Sequence, residues 1–148
     1  MLLTPYEIVS KFVIPSLRAM VAKRLILLHG FSQKEAAQLL GVSQSAISRY
    51  LEGSRGGMIR FESTREVCQM VDELKNILVH KGDKCAFIAL FTELCDYIRR
   101  EKLLCEFCRK IQPDIAVQSC HGCDRGLTRI EPRPLEAWIE SYEAHQEA

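Results

Sequence analysis

The sequence predicts an all-α fold, and three observations carry that prediction. Apolar residues recur at helical spacing in each long segment, serines and glycines punctuate those segments as starts and stops, and no strand-rich stretch or internal repeat interrupts them. The elements divide into an N-terminal helix-turn-helix bundle, residues 1–62, and a helical C-terminal region, residues 63–148, with a cysteine-rich metal-binding loop.

Tyr6, Val9, Val13, Leu17, Met20, Val21, Leu25 and Leu28 form the first helical stripe, which stops at His29-Gly30, and Pro15 should split or kink it. Ser32-Gln33-Lys34-Glu35 is a capping box that opens a second helix to about Leu40: the serine covers a free amide and the glutamate reaches back. Gly41-Val42 makes a tight break, Ser43 caps a third helix from Gln44 to about Leu51, and Glu52-Gly53 closes it. Ser54 to about Phe61 is glycine-rich and basic, a loop leaving this module and available to phosphate. Val67, Met70, Val71, Leu74, Ile77 and Leu78 predict a helix over 64–79, with a turn at Lys81-Gly82-Asp83. Phe87, Ile88, Phe91, Leu94, Cys95 and Ile98 predict another over 84–99, fading between Arg99 and Lys102. Pro132 and Pro134 precede a short acidic helix from about Leu135 to Ala144.

Composition narrows the class of protein. The 148 residues suffice for a core but lie near the size of one domain, or of two small ones. A hydrophobic fraction of 47% with 26% charged residues describes a folded soluble chain, and no stretch reaches the roughly 20 apolar residues that a membrane span requires. Met1 to Lys11 lacks the basic start and apolar core of a secretory signal, with Glu7 in the way, so a cytoplasmic protein is expected. Thiols stay reduced there, and cysteines in C-x2-C pairs read as metal ligands or redox groups before disulfides. The net charge of +1 conceals an asymmetry: residues 1–62 carry eight Lys/Arg against four Asp/Glu, and residues 63–148 carry twelve against fifteen. A basic front half is compatible with a phosphate-facing surface.

Residues 33 to 52 have the spacing that two packed helices need to place one of them in the major groove. Ala37 is small at the crossing, Gly41 permits the turn, and Ile47 and Tyr50 anchor the second helix from beneath. Gln44, Ser45, Ser48 and Arg49 are left facing outward, able to hydrogen-bond base edges or phosphates, with Ser43 at the helix start. Gln44 is the best candidate base reader, since a glutamine bidentate on adenine contributes roughly 1–3 kcal/mol of discrimination. Gln33 is placed to hold phosphate at the supporting helix's N-terminus. Arg55 is a further candidate, although Arg55 and Arg60 read equally well as solvated charges.

The run Ser32-Gln-Lys-Glu-Ala-Ala-Gln-Leu-Leu-Gly-Val-Ser-Gln-Ser-Ala-Ile-Ser-Arg-Tyr-Leu51 resembles the lambda-repressor and Cro-like helix-turn-helix family. That resemblance implies dimers on two half-sites of double-stranded DNA, with Gln33 and Gln44 at the positions whose glutamines contact DNA. With its Pro15-x-x-Arg18 stretch, Ser54-Arg-Gly56 and cysteine-rich tail, the chain is also similar to small archaeal regulators proposed to carry iron–sulfur clusters.

Five of the seven cysteines, Cys95, Cys105, Cys108, Cys120 and Cys123, fall within 29 residues. Cys105-x2-Cys108 and Cys120-x2-Cys123 are two thiolate pairs with eleven residues between them, a spacing that lets both grip one ion or cluster. Four thiolates suit a tetrahedral Zn2+ site or an iron–sulfur cluster; the fifth cysteine and the archaeal resemblance favour the cluster, of [4Fe-4S] type. Cys95 reads either as a ligand, if a turn near Arg100 brings it round, or as a small hydrophobe packed beside Phe91, Leu94 and Ile98. Cys68 and Cys85 read as buried packing residues, His121 as solvent-facing, and Gly122 as room for its knuckle to bend.

The leading expectation is a homodimeric, sequence-specific transcription regulator whose grip on DNA is coupled to a cluster sensing redox or iron status. The alternative is a regulator or protein-interaction factor with a purely structural zinc site. An enzyme is not expected, because neither C-x2-C pair has the strand–helix context of thioredoxin-like proteins and nothing else forms a catalytic constellation.

Overall fold

The structure is a computed structural model that describes residues 2–57, 59–124 and 140. All regular structure among these residues is helical, as the apolar spacing predicts. The expected acidic helix from Leu135 to Ala144 lies outside the described residues except for Glu140, which is helical and exposed.

Helix α1, Pro5–Ile8, starts at a full capping box: Thr4 Oγ1 accepts the Glu7 N–H, and the Glu7 carboxylate accepts the Thr4 N–H. Proline at the first position needs no amide partner there. The chain then passes without a break through a π-helical turn, Val9–Val13, into α2, Ile14–His29. Pro15 explains the turn: it has no N–H to give, and in a regular helix its ring would crowd the carbonyl four residues earlier, which a wider turn relieves. The expected split is therefore a bulge in a continuous rod, within which Ser16 Oγ donates to the Phe12 carbonyl at 2.7 Å.

Helices α3, Gln33–Leu40, and α4, Gln44–Glu52, begin at Ser32 and Ser43, whose hydroxyls accept the Glu35 and Ala46 N–H groups, each at 3.1 Å. After a connector comes α5, Arg65–Asn76, which ends in a second π turn, Ile77–Lys81. Asp83 caps α6, Lys84–Arg100, by accepting the Ala86 N–H. A tight turn with Lys102 at φ 58° leads to α7, Cys105–Ile111, then 3-10 turns at Val117–Ser119 and Gly122–Asp124.

Helix α2 is the hub, packing against α3, α4 and α5. Its Leu17, Val21 and Leu25, with Val13 of the π turn, are wholly buried in a core shared with Ala36, Ile47 and Tyr50 on one side and Val67, Val71 and Leu74 on the other. Arg24 on α2 pairs with Asp72 on α5 at 2.6 Å.

Three stripe residues depart from expectation. Tyr6 and Leu28, at the ends of the first stripe, are 63% and 66% exposed, because the rod outruns the helices that cover its middle. Helix α6 buries Leu94, Cys95 and Ile98 but leaves Ile88 63% exposed. Phe87, Ile88 and Phe91 instead line an open groove with Leu39, Leu40 and Leu78.

Candidate nucleic-acid interface and thiol cavity

The packed pair α3–α4 has the steric logic of a groove reader. Ala36 and Ala37 are buried where the helices meet, and Gly41 turns the chain in the left-handed region at φ 66°, which an L side chain resists. Ile47 and Tyr50 are 0% and 1% exposed beneath α4. Gln44, Ser45 and Arg49 are exposed on the opposite face, while Ser48 and Gln33 are half-buried.

Hydrogen bonding separates these outward groups. The Ser43 hydroxyl is occupied as the helix cap and lies 3.1 Å from Ser45 Oγ, and Ser48 Oγ donates to Glu52 at 3.4 Å. Gln44 and Arg49 therefore offer the most adaptable side chains for base edges and phosphate. Arg55 is exposed, with its guanidinium carbon 5.8 Å from the centre of the Tyr50 ring. Beside it Gly56 is pressed onto the rod: a Cβ there would lie 2.5 Å from the Pro15 carbonyl oxygen, so only glycine fits. This contact brings Lys11 into one depression with Ser54 and Arg55. Sequence reading missed Lys11, which is more than forty positions away.

The second feature is a cavity of about 50 Å³ lined by Cys105, Cys108, Cys120 and Cys123. The turn near Arg100 that sequence reading anticipated is present, yet it does not deliver Cys95. That thiol does not line the cavity and is buried within the core. Burial, with some help from Asp96, pushes Cys95 up to about 11, as for a packing residue.

The other four behave as a group. Burial and then the charges of Cys123, Cys105 and Cys120 push Cys108 up to about 11. Cys123 is also raised, first by burial, while Arg99 and Lys102 oppose the shift. Among the described residues, two cations that act on this thiol come from the end of α6 and the turn after it, whereas Lys110 pairs with Glu106 at 3.3 Å. In kind and number the donors fit a soft metal. Among the described residues, however, no three Cys, His, Asp or Glu side chains are already arranged to hold an ion, so the cysteines share a cavity without forming a closed ligand set.

Several smaller readings change. Cys85 is exposed, since it lies on the outer face of α6; Cys68 is half-buried, with its thiol 3.5 Å from the Glu62 carbonyl. His121 is half-buried. Gly122 also sits close to the N-terminal segment: a Cβ there would come within 3.1 Å of Pro5 Cγ. Sequence reading also missed Gln112 and Arg99, each 4% exposed, because buried polar residues carry no periodic signal.

Residues 22–56 match the family model described as helix-turn-helix, a DNA-binding family, and the match spans α3, the turn and α4. The match covers less than half of the chain and supports a DNA-binding helix-turn-helix in that segment. No curated protein and no solved structure matches the chain. Among the described residues no helix is long and apolar enough to cross a membrane.

Proposed function

We propose that the protein is a sequence-specific transcription regulator that binds double-stranded DNA as a homodimer, with binding coupled to an iron–sulfur cluster on Cys105, Cys108, Cys120 and Cys123. The observation that carries the DNA reading is the exposed polar face of α4, centred on Gln44 and Arg49, within the segment that matches the helix-turn-helix family. Two copies are required because one short recognition helix reads too few base pairs to compete with genomic DNA.

The coupling is supported by four thiols on one cavity and by Arg99 and Lys102, whose charges favour the ionised Cys123. When bound, a cluster would supply a group whose presence depends on iron and oxidants. The cysteines would hold it, and the apolar remainder of the cavity would limit water access.

Anaerobic purification with visible absorption and metal analysis tests the centre, a brown protein containing iron and sulfide being expected. A colourless protein with one equivalent of zinc would replace the cluster with a structural ion. Binding-site selection from random duplexes at fixed salt, with the thiol site filled and emptied, tests DNA recognition; no preferred duplex in either state would overturn it.

A further inference from the structure

The thiol cavity takes part of its wall from the opposite end of the chain: Leu3, Pro5 and Ile8 line it together with the four cysteines. Gln112, at the end of α7, uses both ends of its amide on Leu3, accepting the Leu3 N–H through Oε1 and donating from Nε2 to the Leu3 carbonyl at 3.3 Å. Gly122, between Cys120 and Cys123, packs on Pro5. Arg99 donates from Nη2 to the Gly122 carbonyl at 3.4 Å, and its guanidinium carbon lies 4.9 Å from the centre of the Tyr6 ring. Phe107, between Cys105 and Cys108, meets Phe12 of the π turn edge-on at 4.9 Å. Both C-x2-C pairs are therefore seated on residues 3–12.

Those residues run directly into α2, which packs on α3 and α4, and the 54–56 loop presses on the rod at Pro15. We infer that residues 3–12 form a lever: their seating on the thiol module is linked to what the thiols hold, and the rod carries that linkage to α4. This rests on the proposed thiolate site. An ion that draws four thiols together pulls on the segments that carry them, and Pro5, Leu3 and Phe12 touch those segments at Gly122, Gln112 and Phe107. The π turn gives the rod a place to change its winding while remaining helical. By reciprocity, DNA must change the ion's affinity by the same factor that the ion changes DNA affinity.

The test uses Zn2+ alone as probe on full-length protein, reading affinity by competition with a chromophoric chelator and amide hydrogen exchange along the chain. Wild type should bind Zn2+ with slowed exchange in residues 3–12 and altered exchange in α4. Gln112→Met and Tyr6→Ala keep all seven cysteines; each should bind Zn2+ at least tenfold more weakly and lose the response in α4. If Gln112→Met fails to fold, Tyr6→Ala, altered at an exposed ring, carries the comparison. Equal Zn2+ affinity and equal α4 response in wild type and the folded variants would overturn the lever alone. No Zn2+ binding by wild type would overturn the thiolate reading and the lever with it.

Discussion

Tyr50 fills the underside of α4 with its ring, and its buried hydroxyl has no hydrogen-bond partner among the described residues. A buried hydroxyl without a partner costs stability, so Tyr50→Phe should leave the unfolding free energy unchanged or raise it by up to about 1 kcal/mol, read as an equal or higher melting temperature. Gln44 faces the other way and makes no contribution to the core. Gln44→Ala should leave folding intact and weaken specific DNA binding by about 1–3 kcal/mol, while nonspecific binding at the same salt stays close to wild type. Equal losses on both DNAs would reassign Gln44 to backbone contact. Both placements, buried and exposed, were legible from sequence because position in a capped amphipathic helix fixes which way a side chain points. The alternatives for Cys95 were not separable in that way, since a thiol at a helical apolar position satisfies either reading until its neighbours in space are known.

The capping box on α1 has a pH signature. The Thr4 backbone N–H and hydroxyl lower the Glu7 carboxyl below its ordinary 4.5, so the folded state prefers the ionised form. The contribution is present above pH 4.5 and is lost as pH falls through the lowered value. Glu7→Gln should flatten that acid-range part of a plot of melting temperature against pH by slightly lowering the neutral plateau, where the carboxylate's contribution is present, and should leave the most acidic end little changed. Helix α6 makes a different prediction. Its exposed Ile88 lines an open groove with the half-buried Phe87 and Phe91, and this is the face that the proposed homodimer would use. Ile88→Glu, at a 63% exposed position, should keep the melting temperature and convert a dimer to a monomer in sedimentation; an unchanged mass would place the dimer contact elsewhere.

At the scale of the molecule, the core does not stop where the helix-turn-helix does. Val67, Val71 and Leu74 of α5 share it with α2, and the Arg24–Asp72 pair crosses the same junction. A fragment ending at residue 62 would expose the α2 surface that α5 covers and lose three fully buried side chains, each worth about 1.5–3 kcal/mol of burial. Such a fragment should show no cooperative melt by circular dichroism, whereas the full chain should melt cooperatively. The thiol cavity likewise belongs to no single segment, because its walls come from residues 3–8 and from residues beyond 101.

The amino-acid sequence by itself determined helices α2 to α6, the serine caps, the turn at Gly41, the outward face of α4 and the C-x2-C spacing, because each depends on residues within a few positions of one another; helix α7 was not legible, since a loop was expected to carry Cys105 and Cys108. Tertiary structure alone decided that Cys95 packs in the core while four cysteines share a cavity, and that Gln112 and Arg99 are buried to grip the N-terminus. Those outcomes depend on contacts across as many as 109 positions, as between Leu3 and Gln112, and no local periodicity records which distant surface a side chain will meet.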